Sequence, residues 1–192
     1  GNLDRDALSL QLAAPRVEVT SSRAAGSAIT ANLKIAGAQR SVNAALEVAA
    51  LSGSPTALAI SSAKFDLDAS AEGNVVKAQV STPLSANLVA KSWDLSKIMA
   101  NITLSGPMIP QKTVTVPIQA AFKADLGKQT VAAEMSSKFD ESSIQARFAA
   151  TKLQPLNASF DVGIDKLNLD RYLKPAAEKS PAGDPPVDLS AL

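Results

Sequence analysis

Apolar and polar residues alternate along nearly the whole chain, with the period of two that a half-buried strand requires. The cleanest run spans 113–126. Val114, Val116, Ile118, Ala120, Phe122, Ala124 and Leu126 share one side, while Thr113, Thr115, Gln119, Lys123 and Asp125 share the other with Pro117 and Ala121. Wound into a helix, those seven apolar residues would ring the axis and several would face water. As a strand they form one apolar face. The same test selects Leu8–Leu10–Leu12, Ile29 to Ile35, Val42 to Ala50, Phe65 to Ala69, Val76 to Val80, Ile98 to Leu104, Ile144 to Phe148 and Leu156 to Ile164.

Turn signals separate these runs at 36–40, 52–55, 72–74 and 126–128, each with a glycine, and at Phe139-Asp-Glu-Ser142. Links this short join antiparallel neighbours and cannot carry a parallel crossover. The pattern therefore predicts an all-β meander of about ten to twelve antiparallel strands. Helical turns are expected only at 93–99, with Asp94 as cap, and at 169–173. Residues 76–84 echo residues 131–139 in sequence, which reads as one hairpin resembling another. The chain divides into a β domain over 1–174 and a linker over 175–192, where Pro175, Pro181, Pro185 and Pro186 crowd together.

Composition then narrows the chemistry. With no histidine and no cysteine among 192 residues, Ser-His-Asp triads, cysteine nucleophiles, disulfides and Cys/His zinc sites are excluded. Nineteen basic residues against eighteen acidic ones, without a basic run, argue against a nucleic-acid partner. The single Trp and single Tyr cannot build a base-stacking platform. The longest charge-free stretch, 48–63, contains Gly53, Pro55 and several serines and does not read as a membrane-spanning helix. Ser61 and Lys64 match a Ser-x-x-Lys spacing that needs a helix to bring the two groups together, yet they lead into a strand. Asp161, Asp165 and Asp170 fit no calcium loop, and the first two alternate outward. The chain reads as a non-enzyme without cofactor or metal. The chain opens without an initiator Met or a leader and stops soon after a new apolar segment begins, so a piece of a longer protein is expected.

Alanine is unusually abundant, at 35 residues, and many inward strand positions are small. Two readings stay open on this ground: a thin sandwich of two closely approaching sheets, or a curved sheet whose apolar face is left open for an apolar ligand.

The segment running from Phe160 through Asp165 into Leu167-Asn-Leu169-Asp170-Arg171-Tyr172-Leu173, then into the proline-rich linker and Asp188-Leu-Ser-Ala-Leu192, resembles the AsmA family of Gram-negative envelope proteins. The resemblance implies a periplasmic β-rich body held to the inner membrane by an anchor that this sequence lacks. It also implies kinship with bridge-like lipid transfer proteins, whose β-groove units form an apolar trough, and a role in outer-membrane assembly and phospholipid transport. On that basis the expected fold is one long antiparallel meander in a strongly curved, groove-like sheet, with the two-sheet sandwich as runner-up. Phospholipid or another acyl-chain ligand is the expected partner. The alternative function is a structural or interaction domain that supports neighbouring segments of an envelope protein.

The floor of such a trough is expected at Val114, Val116, Ile118, Phe122, Ile144, Phe148, Phe160, Val162 and Ile164, the bulkiest residues sharing one side of three neighbouring strands. Lys123, Asp125, Arg147 and Asp161 are expected to face water. The cluster Leu167, Leu169, Asp170, Arg171, Tyr172 and Leu173 is assigned a structural role at the end of the sheet. An exposed edge strand would also invite a second copy of the chain.

Overall fold

The computed structural model describes residues 2–3, 6–14, 16–107, 109 and 111–166. Among them there is no helix. Fourteen strands follow one another: β1 Asn2–Leu3, β2 Asp6–Ala13, β3 Val17–Val19, β4 Ala24–Gly26, β5 Ile29–Ala36, β6 Arg40–Val48, β7 Leu51–Ser54, β8 Ala57–Ala71, β9 Asn74–Asn87, β10 Ser92–Ser105, β11 Thr113–Asp125, β12 Thr130–Phe139, β13 Ser142–Leu153 and β14 Leu156–Ile164. Every pairing is antiparallel.

All fourteen belong to a single sheet. Its main path runs β1-β2-β5-β6-β8-β9-β10-β11-β12-β13-β14, and β3, β4 and β7 pair in sequence with one another and with β8. The side branch is simple to interpret. β3 prolongs β2, β4 leads into β5 and β7 prolongs β6, so each pair is one long strand interrupted in the middle. Substantial contact occurs only between sheet neighbours. The two-sheet sandwich is therefore set aside: the described residues form one open sheet with free edges at both ends and no second layer.

The interruptions line up across the sheet. Gaps at 14–16, 27–28 and 49–50 stand level with register shifts between Ile60 and Ala63 and between Leu95 and Ile98, while the shift between Ala150 and Lys152 lies nearer the end of its strand. A bulge bends its strand and increases its twist. A row of interruptions therefore creases the sheet across its strands as far as β10. This also corrects the helical turn expected at 93–99, which lies inside β10. The bulge places Trp93, Leu95 and Ile98 on one face and so produces a spacing of three that imitates a helix. The second expected turn, 169–173, and the linker 175–192 lie outside the described residues. Leu126, expected on the inner face of a strand, sits in the turn after β11.

Register carries one apolar face from edge to edge. Leu10, Leu33, Ala44, Leu67, Ala78, Ile102 and Val116 form one continuous cross-strand row. The buried residues are Ala24, Leu58, Ala86, Ala100, Ala124 and Ala150, together with Asp6, Ser137 and Ser142, and all of them lie on that face. Side chains converge on the inside of a curved sheet and diverge on its outside. The apolar face is thus the more enclosed of the two. The tightest row follows the crease: Ala24, Gly53, Leu58, Ala86, Trp93, Ala124, Val131 and Ala150 are successive cross-strand partners. Small residues there let the backbone turn inward without clashing side chains. The echoing segments 76–84 and 131–139 lie in β9 and β12, which run in opposite directions, so they do not repeat by translation.

Two predictions follow from the crease and its turns. Gly53 has a φ of 112°, and a Cβ there would collide with the carbonyl oxygen of Ala57. Gly53→Ala is expected to destabilise the fold by about 1–3 kcal/mol in chemical denaturation. Asp125 Oδ1 accepts the backbone N–H of Lys128 at 2.8 Å, and this hydrogen bond is the main reason its carboxyl titrates below the ordinary value of 3.8. A depressed folded pKa adds stability above the unfolded pKa and loses it as pH falls. Asp125→Asn should therefore lower the melting temperature at neutral pH, with the difference fading once the pH drops below 3.8.

Candidate functional site: an open apolar trough

The register brings the nine expected floor residues onto one face. Ile118, Ser137, Ile144 and Ile164 are partners across four strands, as are Phe122, Ala133, Phe148 and Phe160. Val162 follows Ala120, Met135 and Ala146 in the row between them. Val114 and Val116 continue β11 beyond its last pairing with β12, opposite Leu104 and Ile102. The four residues expected to face water lie on the other side, where Arg147 stands between Glu134 and Asp161.

The same face extends much further than those nine positions. Leu10, Leu12, Leu46 and Phe65 bring it across the first half of the sheet, and Leu95 joins the Phe122 row. Nothing in the sheet covers it. Phe160 is 73% exposed, Leu10 and Leu12 are each 69%, and among the described residues no large side chain is fully buried. Closest to the crease lies a hollow of about 850 Å³, lined by Leu58, Ala86, Trp93, Ala124, Val131 and Ala150 and by their chain neighbours Asp94, Lys123 and Asp125, whose register positions belong to the other face. Trp93 packs against the Leu58–Ala86 cluster, and this position carries the molecule's only indole.

Charge is kept out of the trough. Of the described strand residues facing inward, only Asp6 and Arg40 are charged, and they neutralise each other: Arg40 Nε donates to Asp6 Oδ2. Gly37 makes room for this pair, since a Cβ there would strike the Asp6 carboxylate. On the outer face Lys77 pairs with Asp68 at 2.9 Å, Lys123 with Asp94 at 3.3 Å, and Gln79 Nε2 donates to Asp66 Oδ1 at 3.1 Å. Exposed pairs of this kind contribute only about 0–1 kcal/mol each. They mainly keep the outer face wet.

The remaining sequence candidates do not converge. Ser61 lies in the β8 bulge, while Lys64 stands on the outer face between Glu47 and Ser81. Asp161 faces outward beside Arg147. Asp165 Oδ1 accepts the Ser143 N–H at 2.6 Å, fastening the end of β14 to β13, and this hydrogen bond holds its carboxyl below the usual range. Among the described residues no three carboxylates gather as a metal site, and no helix is long and apolar enough to cross a membrane. Asp170 and the family-motif residues Leu167, Leu169, Arg171, Tyr172 and Leu173 lie outside the described residues. No family model matches the chain, and neither a curated protein nor a solved structure matches it.

Position within the trough decides what a charge does there. Ile118 lies between Ala100 and Ser137, both buried, whereas Phe160 stands on the open edge strand. Ile118→Asp should destabilise the fold by about 1–3 kcal/mol, because its carboxylate is drawn into apolar surroundings. Phe160→Asp should stay within about 0.5 kcal/mol of the parent. Parallel urea titrations of the two variants check the contrast.

Proposed function

We propose that this chain is a β-groove segment of an AsmA-like envelope protein, periplasmic and tethered to the inner membrane in the full-length protein. It carries phospholipid, or another acyl-chain ligand, on its apolar trough during outer-membrane assembly and phospholipid transport. One observation carries this reading: among the described residues, a continuous apolar face runs across the whole sheet, uncovered and free of unpaired charge. Such a surface suits hydrocarbon chains. Each methylene withdrawn from water contributes about 0.8 kcal/mol, so a single chain can be held without orienting polar contacts. The role is non-catalytic in this proposal.

A second reading, a structural domain that joins neighbouring β segments or a second copy, is favoured by β14. All nine of its residues are exposed, and its outer edge pairs with nothing among the described residues. An edge of this kind accepts another strand.

The sole tryptophan provides the test. Protein purified without detergent is expected to show added phospholipid mass in native mass spectrometry. Phospholipid brominated along its acyl chains should quench Trp93, and Phe160→Asp should weaken quenching while the melting temperature holds. Absence of both retained lipid and quenching would sink the lipid reading and leave the structural one.

A further inference from the structure

We infer that one end of the sheet is built to dock on the surface of an anionic phospholipid bilayer. Because the strands alternate in direction, the turns 20–23, 55–56, 88–91, 126–129 and 154–155 all lie at the end nearest the crease. Every charged residue in those turns is cationic: Arg23, Lys91 and Lys128. The opposite turns, 37–39, 72–73, 106–112, 140–141 and 165–166, carry four carboxylates against two lysines. The two ends therefore differ in sign although the chain as a whole is almost neutral.

The cationic end is also apolar at its tips. Leu88 is 43% exposed, Val89 71% and Leu126 46%, in turns where polar residues ordinarily stand. These tips are held together. The Leu88 N–H donates to the Pro55 carbonyl at 2.8 Å and the Leu126 N–H to the Lys91 carbonyl at 3.0 Å, joining three turns into one platform. Asp125 offsets part of the Lys128 charge at 3.2 Å, while Arg23 and Lys91 have no carboxylate partner among the described residues. Protruding aliphatic side chains flanked by lysines match the two layers of a bilayer surface, acyl boundary and anionic headgroup. Leu58, Trp93 and Ala124 line the trough two or three residues below these tips, so docking here would bring the trough to the lipid.

The purpose of this contact rests on the trough reading, but its measurement does not. The full chain is floated with vesicles of phosphatidylcholine alone and of equal parts phosphatidylcholine and phosphatidylglycerol. Binding is expected to the anionic vesicles and to fall in ~1 M salt, where charges are screened beyond about 3 Å. Lys91→Glu and Val89→Asp should each weaken it on the order of tenfold. Lys112→Glu makes the same charge change at the opposite end and should leave binding within about twofold of the parent, since the attraction fades within a screening length. Unchanged melting temperatures establish that the variants fold. Equal binding to both vesicle types, or equal loss in Lys112→Glu and Lys91→Glu, overturns the docking end. Trp93 quenching by brominated lipid separates the two ideas: quenching without selective flotation removes the docking end alone, and selective flotation without quenching removes the trough alone.

Discussion

The constraint on which this structure depends is an apolar sheet face with no second layer to cover it. A domain ordinarily buries such a face against a helix or another sheet. Here the described strands form a single layer, and five of the six buried hydrophobic residues are alanines. Cohesion must therefore come from the ladder itself: long strands, the fifteen residues of β8 among them, whose neighbours on the same face meet in apolar pairs. Curvature completes the arrangement, because folding the apolar face inward brings those pairs together and removes part of their surface from water.

Curvature in turn selects the residues along the crease. Unbroken rows of Val, Leu and Phe would jam where strands bend toward one another, and five of the eight residues in the crease row are Ala or Gly, with Leu58, Trp93 and Val131 as the larger exceptions. Away from the crease the face opens and the side chains grow, reaching Phe65, Phe122, Phe148 and Phe160. The high alanine content and the open trough are thus one feature. Small side chains allow the bend, and the bend creates a hollow that these small side chains do not fill.

Much of this could be read in the sequence because a period of two assigns faces without any knowledge of tertiary structure. The rows containing Ile118 with Ile164, and Phe122 with Phe160, come directly from alternation joined by short turns. Legibility ended at the irregularities. A bulge adds one residue and makes Leu95–Ile98–Met99 look helical, so Trp93 was misplaced although it lies at the heart of the hollow. The turn at 88–91 carries no glycine: it closes with the Ala90 N–H on Asn87 Oδ1 and with Lys91 at a φ of 56°, a conformation that lysine does not advertise. The reach of the trough across β2, β5, β6 and β8 was equally hidden. Each of those strands displays its apolar face in sequence, but only register shows that the faces join.

An uncovered trough couples occupancy to stability. Whatever lies on the inner face supplies the missing layer, and a ligand that binds the folded sheet but not the unfolded chain stabilises it by an amount that grows with concentration. Among the described strand residues the inner face has only one pair of charges, Asp6 and Arg40, and those two satisfy each other rather than an occupant. Little within the trough could then distinguish one hydrocarbon chain from another, since selectivity of that kind needs polar groups left unpaired by the wrong ligand. Discrimination in such a molecule has to reside where charge is distributed unequally. In this fold that place is the turns, cationic at the crease end and mainly acidic at the other, beyond the reach of the apolar floor.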